Sequence, residues 1–384
     1  MLWSQRPLPL PVEGRAEMSF TKLRPGVAWI AAVTVVLAAG ATVLLTHPLA
    51  RRDHRTTQSS FTPPITSPTS VLSPTPTVTA HPRPSPTATP TPTATPPQSA
   101  TPSQAPSAAA SPTPHIMVIM EENKGYSATL GSCPPNSSPD PYLCSLASAY
   151  ASGTAWYGVE HPSQPNYVDI ASGGNQGCTS DFCAPASAYS APDLGGQLSS
   201  AGIPWTAYME SMPSACYTGN QSGEYVLKHN PFVVFQADMP PNACHIQPYP
   251  GATGLVSALD AAGAPDFVWI TPNLQDDMHD GTIKQADQWL QANLAPVLTS
   301  SWFSADGTVI ITMDEGSGDS GCCGGAAGGQ IPMVVISSQT KGKGNFATPG
   351  DHYGTLRTIE EAYGLPLLGA ASNPANGDLR GLLG

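Results

Sequence analysis

A single serine stands between two prolines in the stretch "HPSQPNY", which runs from His161 to Tyr167. Each proline fixes its own φ angle and disfavours helical geometry in the residue before it, so Ser163 is predicted to lie in a stiff bend. Pro165 suits the first turn of a helix through 166–171, because that turn does not need the N–H group that proline lacks. The hydroxyl would then stand at a helix N-terminus, where free N–H groups attract anions such as phosphoryl groups. The pattern fits a nucleophile and an N-cap about equally, since serine is among the best capping residues.

Two other apolar runs each end in carboxylates. The run "HIMVIM" leads into Glu121, Glu122 and Asn123, and the run near 307–313 leads into Asp314 and Glu315. Carboxylate and amide oxygens suit Mg²⁺, Ca²⁺ or Mn²⁺ and are tolerated by zinc and iron. Either group of polar residues, taken alone, is more simply interpreted as part of a polar loop that faces water. Both pairs together favour a metal site.

The order of the elements predicts an α/β fold. Short apolar runs predict strands at 115–120, 204–209, 266–271, 307–312 and 331–337. Periodic segments predict helices at 194–201, 254–262, 282–298 and 353–363. Strands that alternate with helices predict a mainly parallel sheet covered on both faces. Sites in such sheets lie beyond the carboxyl ends of the strands, where the polar clusters fall.

Composition divides the chain into four parts. Residues 26–45 carry no charge, and about twenty apolar residues cross a bilayer as a helix. We therefore expect a cytoplasmic tail at 1–25 and an uncleaved transmembrane signal anchor at 26–46, with secretion as the outcome if the anchor is cleaved. The segment 47–114 is rich in Pro, Thr and Ser and is expected to be a disordered linker. The remaining 115–384 is long enough for one large catalytic domain.

All eight cysteines lie in this last part of the chain. An even number of cysteines, located after a predicted membrane segment, indicates disulfides in an oxidising compartment. We therefore expect a single-pass protein of the cell membrane whose catalytic domain is extracellular or in the cell envelope. Proximity in sequence favours the pairs Cys133 with Cys144, Cys178 with Cys183, Cys216 with Cys244 and Cys322 with Cys323. A zinc site is the rival interpretation, but no C-x-x-C pair recurs with the spacing that tetrahedral sites need.

Charge limits the partners of this domain. Residues 115–384 hold seven lysines and arginines against 24 aspartates and glutamates. A nucleic-acid partner is excluded, because its backbone requires clustered basic side chains. An anionic substrate would need a metal ion to neutralise the local field.

Six motifs, in this order, carry a family resemblance: "MEENKGY", "HPSQPNY", "LKHNPF", "PNLQDDMHDG", "TMDEGSGDSG" and "DHYGTLRTIEEAYGLP". The combination resembles the bacterial phosphoesterase family of the alkaline phosphatase superfamily, which includes phospholipases C and acid phosphatases. It is most similar to the small secreted members, among them phosphatidylinositol-3-phosphatase-like proteins. The resemblance spans His115 to the C-terminus and implies an alkaline-phosphatase-like three-layer domain.

The resemblance also implies roles for particular residues. It implies a divalent metal ion of unknown identity held by oxygen ligands, with Ser163 as both a ligand and the nucleophile. His229 and His279 are implied to line the phosphate site and to handle protons. The implied ligands besides Ser163 are Glu122, Asn123, Asp314 and Glu315, and further candidates for the site are His352, Asn166 and His161.

The expected activity is metal-dependent hydrolysis of phosphate monoesters through a phosphoserine intermediate. The expected substrate is a small phosphorylated molecule or a phospholipid head group. A phospholipase C-type phosphodiesterase is the alternative, although the chain continues Lys124-Gly125-Tyr126 where the large phospholipases C carry Arg-Ser-Phe-Asp. A non-enzymatic envelope-binding module is the weaker alternative, because it would not need the ordered site motifs.

Overall fold

The computed structural model describes residues 113–133, 138–241 and 244–384. The predicted tail at 1–25 and anchor at 26–46 lie outside these residues, as does the linker at 47–114 except for its last two positions. Among the described residues, no helix has both the length and the apolar character needed to cross a membrane.

A central sheet and a short hairpin contain the strands of the described chain. The strands are β1 Ile116–Glu121, β2 Ala151–Tyr157, β3 Trp205–Met209, β4 Gln221–Ser222, β5 Tyr225–Val226, β6 Ile246–Pro248, β7 Phe267–Thr271, β8 Thr308–Met313, β9 Gln330–Ile336, β10 Gly344–Phe346 and β11 Gly350–Asp351. The α-helices are α1 Pro141–Ala149, α2 Ser163–Ser172, α3 Leu194–Ala201, α4 Gly251–Leu259, α5 Ile283–Val297, α6 Ser301–Asp306 and α7 His352–Ala362. The five predicted strands and four predicted helices all form, with ends that shift by at most a few residues.

The central sheet is mixed but mostly parallel. Its strand order is β10-β2-β9-β8-β1-β7-β3-β6, and β11 also pairs with β2. β1 runs parallel to β7 on one side and to β8 on the other. β9 is the exception, because it runs antiparallel to both β8 and β2. The carboxyl ends of β1, β7 and β8 therefore meet at one edge of the sheet, which is the edge where α/β folds place their sites.

Apolar side chains cover both faces of the sheet, as the continuous apolar strands predict. Val118 and Met120 of β1 belong to the core cluster that packs against α2, α3 and α7. Met117 and Ile119, which point the other way, belong to the cluster that packs against α1, α4 and α5. Residues in β1 alternate between the faces because a strand has a side-chain period of two.

One strand of the sheet, β2, has no apolar run to predict it. Its sequence "ASGTAWY" is made mostly of small residues, although its first three residues are buried. A Cβ atom at Gly153 would lie 2.9 Å from the Phe346 ring and 3.1 Å from the Met333 side chain. The small side chains therefore reflect close packing of neighbouring strands rather than a loop.

The four predicted disulfides are all present. They join Cys133 to Cys144, Cys178 to Cys183, Cys216 to Cys244 and Cys322 to Cys323. No cysteine in the described part of the chain is free.

Two buried aspartates lie together at the start of α3. The Asp193 carboxylate caps the helix by accepting hydrogen bonds from the N–H groups of Gly195 and Gly196, at 3.0 and 3.3 Å. Asp238 is buried, and no donor among the described residues reaches either of its carboxyl oxygens. Burial raises the pKa of Asp238, and the adjacent Asp193 carboxylate raises it further. The two groups are therefore best satisfied when they share one proton.

This pair gives a prediction for stability against pH. A carboxyl group whose pKa is raised by folding stabilises the fold at low pH, and this contribution is lost as pH rises through the raised pKa. An Asp238→Asn variant keeps a donor towards Asp193 at every pH. The unfolding free energy of this variant should rise relative to that of the wild type as pH is raised from about 4, the ordinary aspartate range, towards neutral, because only the wild type must then ionise a buried carboxyl group. Thermal unfolding across that range measures the difference.

A matched control is Asp319→Asn, which removes the same charge from an exposed position. The pH dependence of its unfolding free energy should run parallel to that of the wild type. If the Asp238→Asn profile also runs parallel, the two carboxyl groups do not share a proton.

Candidate active site

Three buried carboxylates meet beyond the carboxyl ends of β1, β7 and β8. Glu122 directly follows β1, Asp314 directly follows β8, and Asp277 lies in the loop after β7. All three are 0% exposed. Glu122 and Asp314 are among the residues predicted from the sequence, whereas Asp277 is not.

Ser163 lies against this cluster as the first residue of α2. Its hydroxyl donates a hydrogen bond to Glu122 Oε2 at 3.2 Å, and the residue is 1% exposed. Pro165 lies in the first turn of the helix, as predicted. The proline-rich stretch therefore holds a serine hydroxyl at a helix N-terminus and beside the carboxylates.

Asn166 secures the bend before α2 instead of facing the cluster. Its side-chain oxygen accepts hydrogen bonds from the N–H groups of Val159 and Glu160, at 2.9 and 3.1 Å. Its amide nitrogen donates to the carbonyls of Glu160 and Pro162, at 2.7 and 3.2 Å. This amide thus fixes the direction in which Ser163 points.

The carboxylates perturb one another strongly. Burial raises the pKa of Glu122, and the nearby carboxylates of Asp314 and Asp277 raise it further. Burial likewise raises the pKa of Asp277 and that of Asp314. Tyr167, one helical turn after Ser163, donates its hydroxyl to Glu122 Oε1 at 2.5 Å. Such a concentration of buried negative charge requires a counter-cation or protons.

His229 is buried among these acids. It ends a 3-10 helix at Leu227–His229, and its Nε2 lies 3.2 Å from Glu122 Oε1 while its Nδ1 lies 3.4 Å from Asp277 Oδ2. Its ring stacks on that of Tyr167 with 5.5 Å between centroids. Burial lowers the pKa of His229, and the neighbouring Lys228 and His279 lower it further. The imidazole is therefore neutral, with a lone pair available.

His279 lies beside His229, with 5.2 Å between the ring centroids. Its Nδ1 is 2.7 Å from Asp280 Oδ1, and its backbone N–H donates to Asp277 Oδ1 at 2.7 Å. The ring is only partly buried, so it can exchange protons with solvent. Both histidines predicted for the site therefore reach it.

The residues present fit a divalent cation. Glu122, His229 and His279 offer ligand atoms that all lie within 4.8 Å of one another. Asp277 Oδ2, Asp314 Oδ2 and His229 Nε2 are buried and have no hydrogen-bond partner among the described residues. Carboxylate and imidazole ligands suit zinc, manganese or iron. Such an ion would be held by Glu122, Asp277, Asp314 and His229 together with the Ser163 hydroxyl.

Asn123 contacts the cluster through its backbone and not through its side chain. The Asn123 side-chain oxygen accepts from Lys124 Nζ at 2.9 Å, while its backbone N–H donates to Asp314 Oδ1 at 2.9 Å. Asn123 thus reaches the cluster through its backbone, and its predicted role as a side-chain ligand stays a prediction.

Glu315 forms an ion pair with His161 at the rim of the cluster. Burial raises the pKa of Glu315 to about 7, and the adjacent Asp314 carboxylate acts in the same direction. His161 is the more exposed partner; burial acts to lower its pKa, but hydrogen bonds to Glu315 and Gly318 raise it overall. His161 therefore orients Glu315, while the predicted ligand role of Glu315 stays a prediction.

His352 supports Asp314 from behind. Its Nε2 lies 2.5 Å from the Asp314 carbonyl oxygen, and burial lowers its pKa to about 4. The neutral ring donates to that carbonyl and so fixes the backbone that carries the carboxylate.

Sequence reasoning missed Asp277 and Tyr167. Asp277 lies two residues before His279 within the motif "PNLQDDMHDG", and Tyr167 lies four residues after Ser163 on the same helix. The i, i+4 spacing could have placed Tyr167 on the face of α2 that carries Ser163. Nothing in the motif alone separates Asp277 from its neighbour Asp276, which accepts hydrogen bonds from Asn273 and Gln285.

Comparison with known proteins identifies relatives of this chain. A phosphatidylinositol-3-phosphatase from Mycobacterium tuberculosis is 31% identical over 268 residues, which cover 69% of this chain and 82% of that protein. A phosphate-repressible acid phosphatase from Penicillium chrysogenum is 32% identical over 247 residues, which cover 62% of this chain and 58% of that protein. The chain thus spans just over half the length of this fungal relative.

Similarity to solved structures is weaker. A protein in the alkaline phosphatase superfamily from Vibrio parahaemolyticus matches with a TM-score of 0.47 and 12% identity, over 68% of this chain and 70% of that one. Residues 136–366, well over half of the chain, match the sequence model of the Phosphoesterase family. The chain therefore belongs to the Phosphoesterase family.

Proposed function

We propose that this protein hydrolyses phosphate monoesters, as an acid phosphatase or a phosphatidylinositol-3-phosphatase type of enzyme, with Ser163 as the nucleophile. The observation that carries the proposal is the position of Ser163 at the N-terminus of α2, with its hydroxyl 3.2 Å from Glu122 in a cluster of buried acids. The names of the two relatives described above support the same activity.

The chemistry divides into two displacements. Ser163 Oγ attacks phosphorus, so that an Oγ–P bond forms and the ester P–O bond breaks, and the alcohol leaves with a proton. Water then attacks the phosphoserine, which releases phosphate and restores the hydroxyl. A divalent ion bound by Glu122, Asp314 and His229 would neutralise phosphoryl oxygens and favour the deprotonated serine.

Protein groups position the reactants and transfer protons. The N-terminus of α2, where the Gln164 N–H donates to the Asp181 carboxylate, would also attract the phosphoryl oxygens next to Ser163. His279 is partly exposed and is oriented by Asp280, so it donates a proton to the leaving alcohol and accepts one from the attacking water. His229, buried and neutral, would contribute a lone pair to such an ion. Most of the rate acceleration then comes from positioning and charge neutralisation.

The proposed activity can be tested on residues 113–384 with p-nitrophenyl phosphate and bis(p-nitrophenyl) phosphate, with and without a chelator. We expect the monoester to be the better substrate by about 100-fold or more in kcat/KM, and we expect chelation to abolish turnover until a divalent ion is restored. Turnover of the diester alone would favour the phosphodiesterase alternative. Full activity after removal of all metal would contradict the metal-dependent account.

We further propose that the domain works outside the cytoplasm, held at the cell membrane by residues 26–46. The four disulfides support this location, because such bonds persist in oxidising compartments.

A further inference from the structure

Lys228 is the buried lysine of the described chain, at 7% exposure, and it lies inside an acidic site. Its Nζ donates to Asp181 Oδ2 at 2.9 Å and lies 3.2 Å from His279 Nε2. It is close enough to Glu122 to counter the rise in the pKa of that carboxyl group. Burying an ammonium costs free energy, so a position so close to the site calls for a reason beyond packing.

The Asp181 carboxylate already lies where donors for an anion converge. Its Oδ2 accepts from Lys228, and its Oδ1 accepts from the N–H of Gln164, the residue directly after Ser163, at 3.2 Å. The carboxylate thus spans an ammonium and a helix N-terminus beside the serine. Asp181 itself stays 30% exposed, on the loop that the Cys178–Cys183 disulfide closes. The structure therefore shows an anion, supplied by the chain, next to Ser163.

Most other cations of the described chain are held away from the site. The two described arginines, Arg357 and Arg380, pair with Glu361, and Arg380 also pairs with Asp378. Lys284 is exposed on α5. Lys124 also lies near the acids, because its Nζ donates to the Asn123 side-chain oxygen at 2.9 Å and its charge acts to lower the pKa of Asp277. Lys228 is the lysine that contacts both His279 and Asp181.

We propose that Lys228 binds the second negative charge of a phosphate monoester and so makes the site selective for monoesters over diesters. The inference rests on the proposed function and specifies its substrate class. A phosphate monoester carries a charge between about −1.5 and −2 at neutral pH, whereas a diester carries a single charge. A charge-assisted hydrogen bond from Lys228 to the additional oxygen would be made with a monoester only, because a second ester group replaces that oxygen in a diester.

The test compares Lys228→Met with the wild type on p-nitrophenyl phosphate and bis(p-nitrophenyl) phosphate. We expect kcat/KM for the monoester to fall about 100-fold and that for the diester to change by less than about threefold. Lys228→Arg keeps the charge and should retain most of the monoester preference. The matched control is Lys284→Met, which removes the same charge from an exposed position and should leave both values unchanged. If Lys228→Met does not fold, Lys228→Gln takes its place.

Equal losses on both esters, or no loss on either, would overturn the inference while leaving the proposed function intact. A wild-type protein that hydrolyses neither ester would instead count against the proposed function. In that case, calorimetric titration with inorganic phosphate and with dimethyl phosphate still tests whether Lys228 binds the second negative charge. Lys228→Met should bind inorganic phosphate about tenfold more weakly and dimethyl phosphate as the wild type does. Identical affinities of both proteins for inorganic phosphate would refute the role of Lys228.

Discussion

Replacing Ser163 with alanine should lower kcat for p-nitrophenyl phosphate by about 10⁴-fold or more, because the attacking atom is removed. The fold should survive the change. The hydroxyl contributes one hydrogen bond, to Glu122, so its loss should alter the unfolding free energy by about 1 kcal/mol. Steady-state kinetics together with thermal unfolding separates the two effects.

The matched control for this variant lies on the same helix. Ser172 is buried at the other end of α2, where its hydroxyl donates to the carbonyls of Val168 and Gly174. Ser172→Ala makes the same chemical change at a distance from the acids and should keep nearly full activity. Comparable activity in Ser163→Ala and the wild type would remove the serine from the mechanism.

Replacing Asp314 with asparagine should weaken binding of the divalent ion about 100-fold, because a buried carboxylate becomes neutral. kcat/KM for the monoester should fall by about 10²- to 10³-fold at limiting metal concentration. The side-chain oxygen that remains can still accept the Asn123 N–H, so the local backbone should hold. Elemental analysis after dialysis measures metal content directly, without reference to activity.

Asp319→Asn serves as the control for Asp314, since it removes the same charge from an exposed site in the loop that follows. Its metal content should equal that of the wild type. If Asp314→Asn also retains a full equivalent of metal, the assignment of Asp314 as a ligand is wrong.

Much of this architecture could be predicted because the relevant signals are local. β1, β7 and β8 are short, mainly apolar runs, and the residues that follow β1 and β8 carry carboxylates. The prolines around Ser163 limit the backbone within a few residues, so a helix N-terminus at that position follows from sequence. The disulfides join cysteines that are close along the chain, which is why proximity identified the pairs.

What the sequence could not provide depends on long-range topology. Asp277 joins the cluster only because β7 lies directly beside β1, although the paired residues Val118 and Trp269 are 151 positions apart in the chain. The antiparallel direction of β9 depends on how the chain returns after the glycine-rich loop that follows Asp314. Lys228 is next to His229 in sequence, but its role depends on its contact with Asp181. Asp181 lies on the loop that the Cys178–Cys183 disulfide closes, which is distant from Lys228 in the chain.

The most direct test of the central claim is to trap the covalent intermediate. The protein is mixed with a phosphate monoester, quenched in acid during turnover, digested, and analysed by mass spectrometry. The account predicts one phosphate on the peptide that contains Ser163, and none in the Ser163→Ala variant. Steady turnover without phosphate on Ser163, or with phosphate on a histidine, would contradict it.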